Sequence, residues 1–146
     1  MLQEEGLFDA LKRAGQQGMP MFGTCAGAIL LAKEVLSPSQ PSLGLADVSI
    51  TRNAYGRQLA SRITQGQFVP ENSTLEMVFI RAPQFVELGS GVKTIATYQN
   101  QPVCVQDRQF LLATFHPELT HSTQLHEYFL TLIDKHSSVR QNKDPV

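Results

Sequence analysis

Apolar residues recur at Leu7, Ala10, Leu11 and Ala14, the i, i+3, i+4, i+7 spacing of one helical face. Residues 6–17 are therefore expected to form an amphipathic helix closed by Gly18. Pro20-Met21-Phe22 reads as the end of a short buried strand, continuing towards Thr24. The run from Ala28 through Ile29, Leu30, Leu31 and Ala32 to Val35 predicts a mostly buried helix. Ser37-Pro38-Ser39-Gln40-Pro41-Ser42 is a loop by composition. Short strands are expected at 46–52, 59–64, 75–81, 94–98, 103–106 and 109–115, the last two joined as a hairpin through Asp107-Arg108. Leu125, Phe129, Leu132 and Ile133 mark a closing helix, and the polar residues from Ser137 onward are expected to fray. This alternation implies an α/β fold with a mixed or parallel sheet. It forms one domain over residues 1–136, followed by a flexible tail at 137–146, with no repeat and no linker.

Composition changes this picture little. With 146 residues, 42% apolar and 17% charged, the chain is long enough for one real core. A formal net charge of -1 without a basic cluster argues against nucleic acid as the main partner. No signal peptide and no membrane-length apolar run is present, so a cytoplasmic protein without membrane association is expected. The two cysteines stand in unlike settings. Cys104 lies in the strand-like run Pro102-Val103-Cys104-Val105 and is expected to be a buried, inert thiol. Neither a disulfide nor a metal-type spacing is expected, and no cofactor is implied.

The candidate chemistry begins at Gly23-Thr24-Cys25-Ala26-Gly27, set between the strand and the helix. A cysteine on a strand-to-helix turn has the geometry of a nucleophile elbow, with glycines on both sides letting the turn tighten. The following helix directs its free N–H groups at the sulfur, which is expected to favour thiolate. A proton acceptor is also required. His116 follows the last strand, and Glu118 stands two residues on with Pro117 between them. Sites in open α/β sheets form past the carboxyl ends of strands, where Cys25 and His116 both fall. Glu118 is placed to hold the imidazole tautomer that receives the thiol proton. The remaining histidines, His121, His126 and His136, are expected on the surface of the closing helix region. These residues point to covalent cysteine catalysis and leave amidase, protease and thioester chemistry open.

The elbow, together with Phe115-His116-Pro117-Glu118, resembles the class I glutamine amidotransferases and their Cys-His-Glu triad. Three further stretches, Arg52-Asn53-Ala54-Tyr55-Gly56-Arg57-Gln58, Phe79-Ile80-Arg81-Ala82-Pro83 and Phe115–Thr120, resemble the glutaminase subunit of pyridoxal 5'-phosphate synthase, the PdxT family. The resemblance runs from about residue 2 to about residue 133. It implies a flavodoxin-like α/β sheet, with Cys25 as nucleophile, His116 as proton shuttle and Glu118 orienting the ring. It also implies one oxyanion donor at Ala26 N–H, and glutamine binding by Arg52, Ile80 and Arg81. An arginine suits that work because its guanidinium pairs with an α-carboxylate. The implied partners are L-glutamine and a PdxS-type synthase subunit. That subunit joins the released ammonia to a pentose phosphate and a triose phosphate. The family opens with a βαβ stretch and a Gly-Gly-Glu-Ser motif that this sequence does not contain, and Met1 aligns with the helix after it. The N-terminal strands and a second oxyanion donor are accordingly expected to be missing, with an exposed sheet edge. Two readings follow: a glutaminase subunit, or a catalytically impaired remnant that at most binds the synthase. An in-frame Gly-Gly-Glu-Ser just upstream of Met1 would favour the first.

Overall fold

The computed structural model describes residues 2–52 and 61–143. The motif residues Asn53–Gln58 and the start of the strand expected at 59–64 lie outside them. Helix α1 (Leu2–Gln16) starts earlier than the apolar spacing indicated. It ends where Gly18 takes a φ of 104° and its N–H meets Gly15 O at 3.1 Å. This left-handed conformation suits glycine and closes the helix.

Among the described residues nine strands follow in two sheets. β1 (Met21–Thr24) pairs in parallel with β9 (Phe110–Ala113), and β9 pairs antiparallel with β8 (Gln101–Asp107). The order continues through β7 (Lys93–Tyr98), β4 (Ser61–Phe68) and β5 (Ser73–Ile80) to give a six-stranded mixed sheet, β1-β9-β8-β7-β4-β5. A smaller sheet has the order β2-β3-β6, from Ala32–Leu36, Ala46–Thr51 and Gln84–Leu88. The hairpin expected through Asp107-Arg108 is present as β8 and β9. Helix α3 (Gln124–Lys143) closes the chain and runs through the polar stretch that starts at Ser137.

The sequence pattern misled at the end of the helix that follows the elbow. The helix expected over residues 28–35 is only α2 (Ala26–Leu31), and Ala32 to Leu36 is strand β2. Ala28, Leu31, Ala32 and Val35 have helical spacing, and all four are buried. Ala32 and Val35, three apart, are both buried although the segment is a strand in parallel pairing with β3, and the register shift between Ala32 and Glu34 places the extra residue on β3. β6 was not anticipated, because Phe85 is its buried apolar residue while Val86 is exposed.

Strand β9 shows why its sequence is continuously apolar. Phe110 and Leu112 enter a core with Leu31, Val35 and Ile50 from α2 and the small sheet. Leu111 and Ala113 enter a second core with Phe79, Ile95, Phe115 and the α3 residues Leu125 and Leu132. A strand covered on both faces needs apolar residues at every position. Buried Asp107 ties the small sheet to the hairpin: it accepts the Asp47 N–H at 2.8 Å and pairs with Arg108 at 3.0 Å. Among the described residues no helix is long and apolar enough to cross a membrane.

Candidate active site

Cys25 sits between β1 and α2 with φ 52° and ψ -105°, a left-handed conformation that few side-chain-bearing residues adopt. Its backbone is fixed from both directions. The Cys25 N–H donates to Ala113 O at the end of β9 at 2.8 Å, and Cys25 O accepts the Ile29 N–H at 3.2 Å. Retained strain of this kind marks a residue that its surroundings over-determine. The two flanking glycines are not equivalent, contrary to expectation. A Cβ on Gly23 would lie 2.5 Å from Gly27 O, whereas one on Gly27 would meet nothing within 4 Å. Only Gly23 allows the strand and the helix start to touch. Gly23→Ala is therefore expected to destabilise the fold by about 1–3 kcal/mol, through backbone that must shift. Gly27→Ala should leave the melting temperature unchanged or raise it. Equal losses for the two variants in thermal unfolding would contradict this assignment.

The thiol is half-buried, and its Sγ–H donates to Ile80 O at 3.8 Å. Burial raises its pKa above the ordinary cysteine range. The Ala26 N–H directed at the sulfur lowers it, and the Glu118 carboxylate raises it again. The expected preference for thiolate is thus reversed at rest. A six-residue helix contributes too little to outweigh desolvation and a nearby anion. An uncharged thiol becomes a nucleophile only where a base can take its proton.

The candidate base, His116, is held by β5. The His116 backbone N–H donates to Val78 O at 2.8 Å, two residues before the Ile80 carbonyl that meets the thiol. Backbone groups two residues apart in a strand face the same edge. Among the described strands β5 is the last of the large sheet, and its outer edge collects both halves of the site. His116 Nδ1 and Glu118 Oε2 are 2.7 Å apart across a 3-10 turn at Pro117–Leu119. Burial pushes the Glu118 pKa up, but the hydrogen bond from His116 and the charges of His116 and His126 outweigh it and hold the carboxyl low. With Nδ1 engaged, the ring has Nε2 available for proton transfer.

The structure therefore unites Cys25, Ala26, Ile80, His116 and Glu118. Arg81 follows Ile80 directly, exposed and with a φ of 48°. Arg52 is exposed beyond the end of β3, its N–H on Leu36 O, and takes no part in the contacts just described. Cys104 is fully buried in the α3-facing core, and desolvation pushes its thiol far up. The sequence reading missed the part played by Val78 and Ala113, whose backbone carbonyls carry no side-chain signature. Among the described residues no group of three His, Cys, Asp or Glu is arranged to hold a metal.

A cysteine elbow and a His–Glu pair joined by one strand edge occur here together with a direct family match. The model of the SNO glutamine amidotransferase family matches residues 1–135. The chain belongs to this family. As a glutamine amidotransferase of glutaminase type it is an enzyme subunit, and its sheet is of the class I, flavodoxin-like kind. It is 46% identical over 129 residues to the pyridoxal 5'-phosphate synthase subunit PdxT of Thermosipho africanus, covering 88% of this chain and 69% of that protein. With the PdxT of Solibacter usitatus the identity is 49% over 137 residues, covering 90% and 71%. A crystal structure described as a glutamine amidotransferase superposes with a TM-score of 0.81 at 42% identity, covering 90% of this chain and 70% of that one. A putative GMP synthase component from Thermoplasma acidophilum, at 15% identity and a TM-score of 0.61, shares the fold; the match covers 97% of this chain and 69% of that one.

Proposed function

We propose that this chain hydrolyses L-glutamine to glutamate and ammonia through a thioester on Cys25, and that the ammonia serves a synthase subunit making pyridoxal 5'-phosphate. The observation that carries this reading is the convergence of the Cys25 elbow and the His116–Glu118 pair on the outer edge of β5. In the first step His116 Nε2 takes the thiol proton as Sγ attacks the side-chain amide carbon of glutamine. The Ala26 N–H, already directed at the sulfur, faces the oxygen that becomes negative. His116 then returns the proton to the departing nitrogen, and ammonia leaves behind a γ-glutamyl thioester. Water, deprotonated by the same imidazole, cleaves the thioester to glutamate and restores the thiol. Glu118 holds the ring through Nδ1 and stabilises the imidazolium formed twice in each cycle. The names of the PdxT relatives support the synthase as partner and pyridoxal phosphate as end product.

Arg52, Ile80 and Arg81 are assigned to glutamine binding, the two guanidinium groups pairing with its α-carboxylate. Arg52→Ala or Arg81→Ala is then expected to raise KM about ten- to a hundredfold, the loss of roughly 1.5–3 kcal/mol from a charged hydrogen bond, with a smaller effect on kcat. An unchanged KM in both variants would remove them from the binding site. The function itself is tested by measuring glutamine-dependent ammonia release with and without a PdxS-type synthase, and by mass spectrometry of the trapped Cys25 adduct.

A further inference from the structure

We propose that Glu76 is a positioning residue for the His116–Glu118 pair, an inference that rests on the glutaminase reading above. Glu76, Val78 and Ile80 are alternate residues of β5, and they lie on the outward face while Leu75, Met77 and Phe79 are buried. Each of the three engages the site or the segment that carries it. Ile80 O meets the Cys25 thiol, Val78 O accepts the His116 N–H, and Glu76 Oε1 accepts the His121 N–H at 2.9 Å. The segment from His116 to His121 is thus fastened to the strand at both ends, and the catalytic pair lies between the two fastenings.

The intervening turn closes on itself. The Thr120 hydroxyl donates to Pro117 O at 2.8 Å, and the Leu119 N–H donates to His116 O at 3.2 Å. These bonds shape the turn without tying it to the sheet. The tie at the far end is the Glu76 side chain, a carboxylate accepting a backbone N–H, which is a charge-assisted bond. Glu118 is itself about half exposed, so its approach to Nδ1 depends on where the turn is held rather than on packing around the carboxylate. Removing the Glu76 carboxylate frees one end of the turn and lets the His116–Glu118 pair drift from its place beside the β5 edge that meets the Cys25 thiol. Small displacements of catalytic groups cost rate steeply.

The test compares Glu76→Ala and Glu76→Gln with the wild-type chain, assayed for ammonia release with the synthase partner present. Glu76→Ala is expected to lower kcat roughly tenfold while KM stays within about twofold. Glu76→Gln keeps a carbonyl oxygen for the His121 N–H and should recover most of that loss. The imidazole 15N and Nδ1–H signals of His116 give a second readout that needs no turnover. They should differ from wild type in Glu76→Ala and return in Glu76→Gln. Unchanged ring signals in Glu76→Ala would overturn the proposal, as would an unchanged kcat in an active enzyme. Equal losses in both variants that track a fall in melting temperature would also overturn it, in favour of a purely structural bond. Absence of glutaminase activity in wild type would instead count against the proposed function, and the ring signals would still decide the role of Glu76.

Discussion

Replacement of Cys25 by alanine is expected to abolish ammonia release from glutamine, a loss of at least about 10⁴-fold. Cys104→Ser should leave the rate within about twofold. The asymmetry follows from position. Cys25 Sγ is half-buried at the end of β1, within reach of the Ala26 N–H and of the strand edge that holds His116. Cys104 is fully buried among Phe79, Ile95 and Leu111, and desolvation there disfavours a thiolate. A small alkylating reagent gives an independent check. Because burial holds the Cys25 pKa above the ordinary range, its alkylation should be slow at neutral pH and accelerate as pH rises through and beyond that range. A glutamine-mimicking electrophile recruits His116 and should label Cys25 at neutral pH. Labelling of Cys104 with Cys25 untouched would overturn the assignment.

His116→Asn should be nearly as damaging as loss of Cys25, because nucleophile and base act as one unit. A thiol that is neutral at rest depends on that base more than a preformed thiolate would. Glu118→Gln retains a polar partner for Nδ1 and should cost about one to two decades less than His116→Asn. If Glu118→Gln proved the most harmful of the three, the roles would have to be exchanged. The pair also carries a pH signature. The Glu118 carboxyl is held below its ordinary range in the folded protein, so its contribution is present above the unfolded glutamate pKa. It is lost as pH falls through the lower folded value. Wild type should therefore lose more thermal stability than Glu118→Gln on acidification below the ordinary glutamate range. Parallel pH profiles of the two would show the bond to be absent in solution.

The local geometry of the candidate site was legible from residues alone. The elbow at Gly23–Gly27 and the tripeptide His116-Pro117-Glu118 declare themselves because a tight turn admits few residue types and a His-x-Glu pair spans one turn. The hairpin of β8 and β9 was equally local, since two apolar runs meet through Asp107-Arg108. The end of α2 was not legible. Ala32 and Val35 continue a helical spacing, and only the parallel partner β3, with its shifted register, makes that stretch a strand. The protonation state of the thiol was inverted for a similar reason. A short helix start argues for thiolate, but the burial and the Glu118 charge that win belong to parts of the chain far from Cys25 in sequence.

What the sequence by itself determined is the set of reactive groups: a cysteine on a strained turn, a histidine after a strand, and a carboxylate within one turn of that histidine. What only the tertiary structure decided is where they meet. Ala113 O, Val78 O and Ile80 O fix the elbow, the His116 backbone and the thiol, and each is a backbone carbonyl. A carbonyl is the same on every residue, so its role is set by sheet order and register. Those in turn depend on pairing between segments distant in the chain, which no local pattern of side chains records.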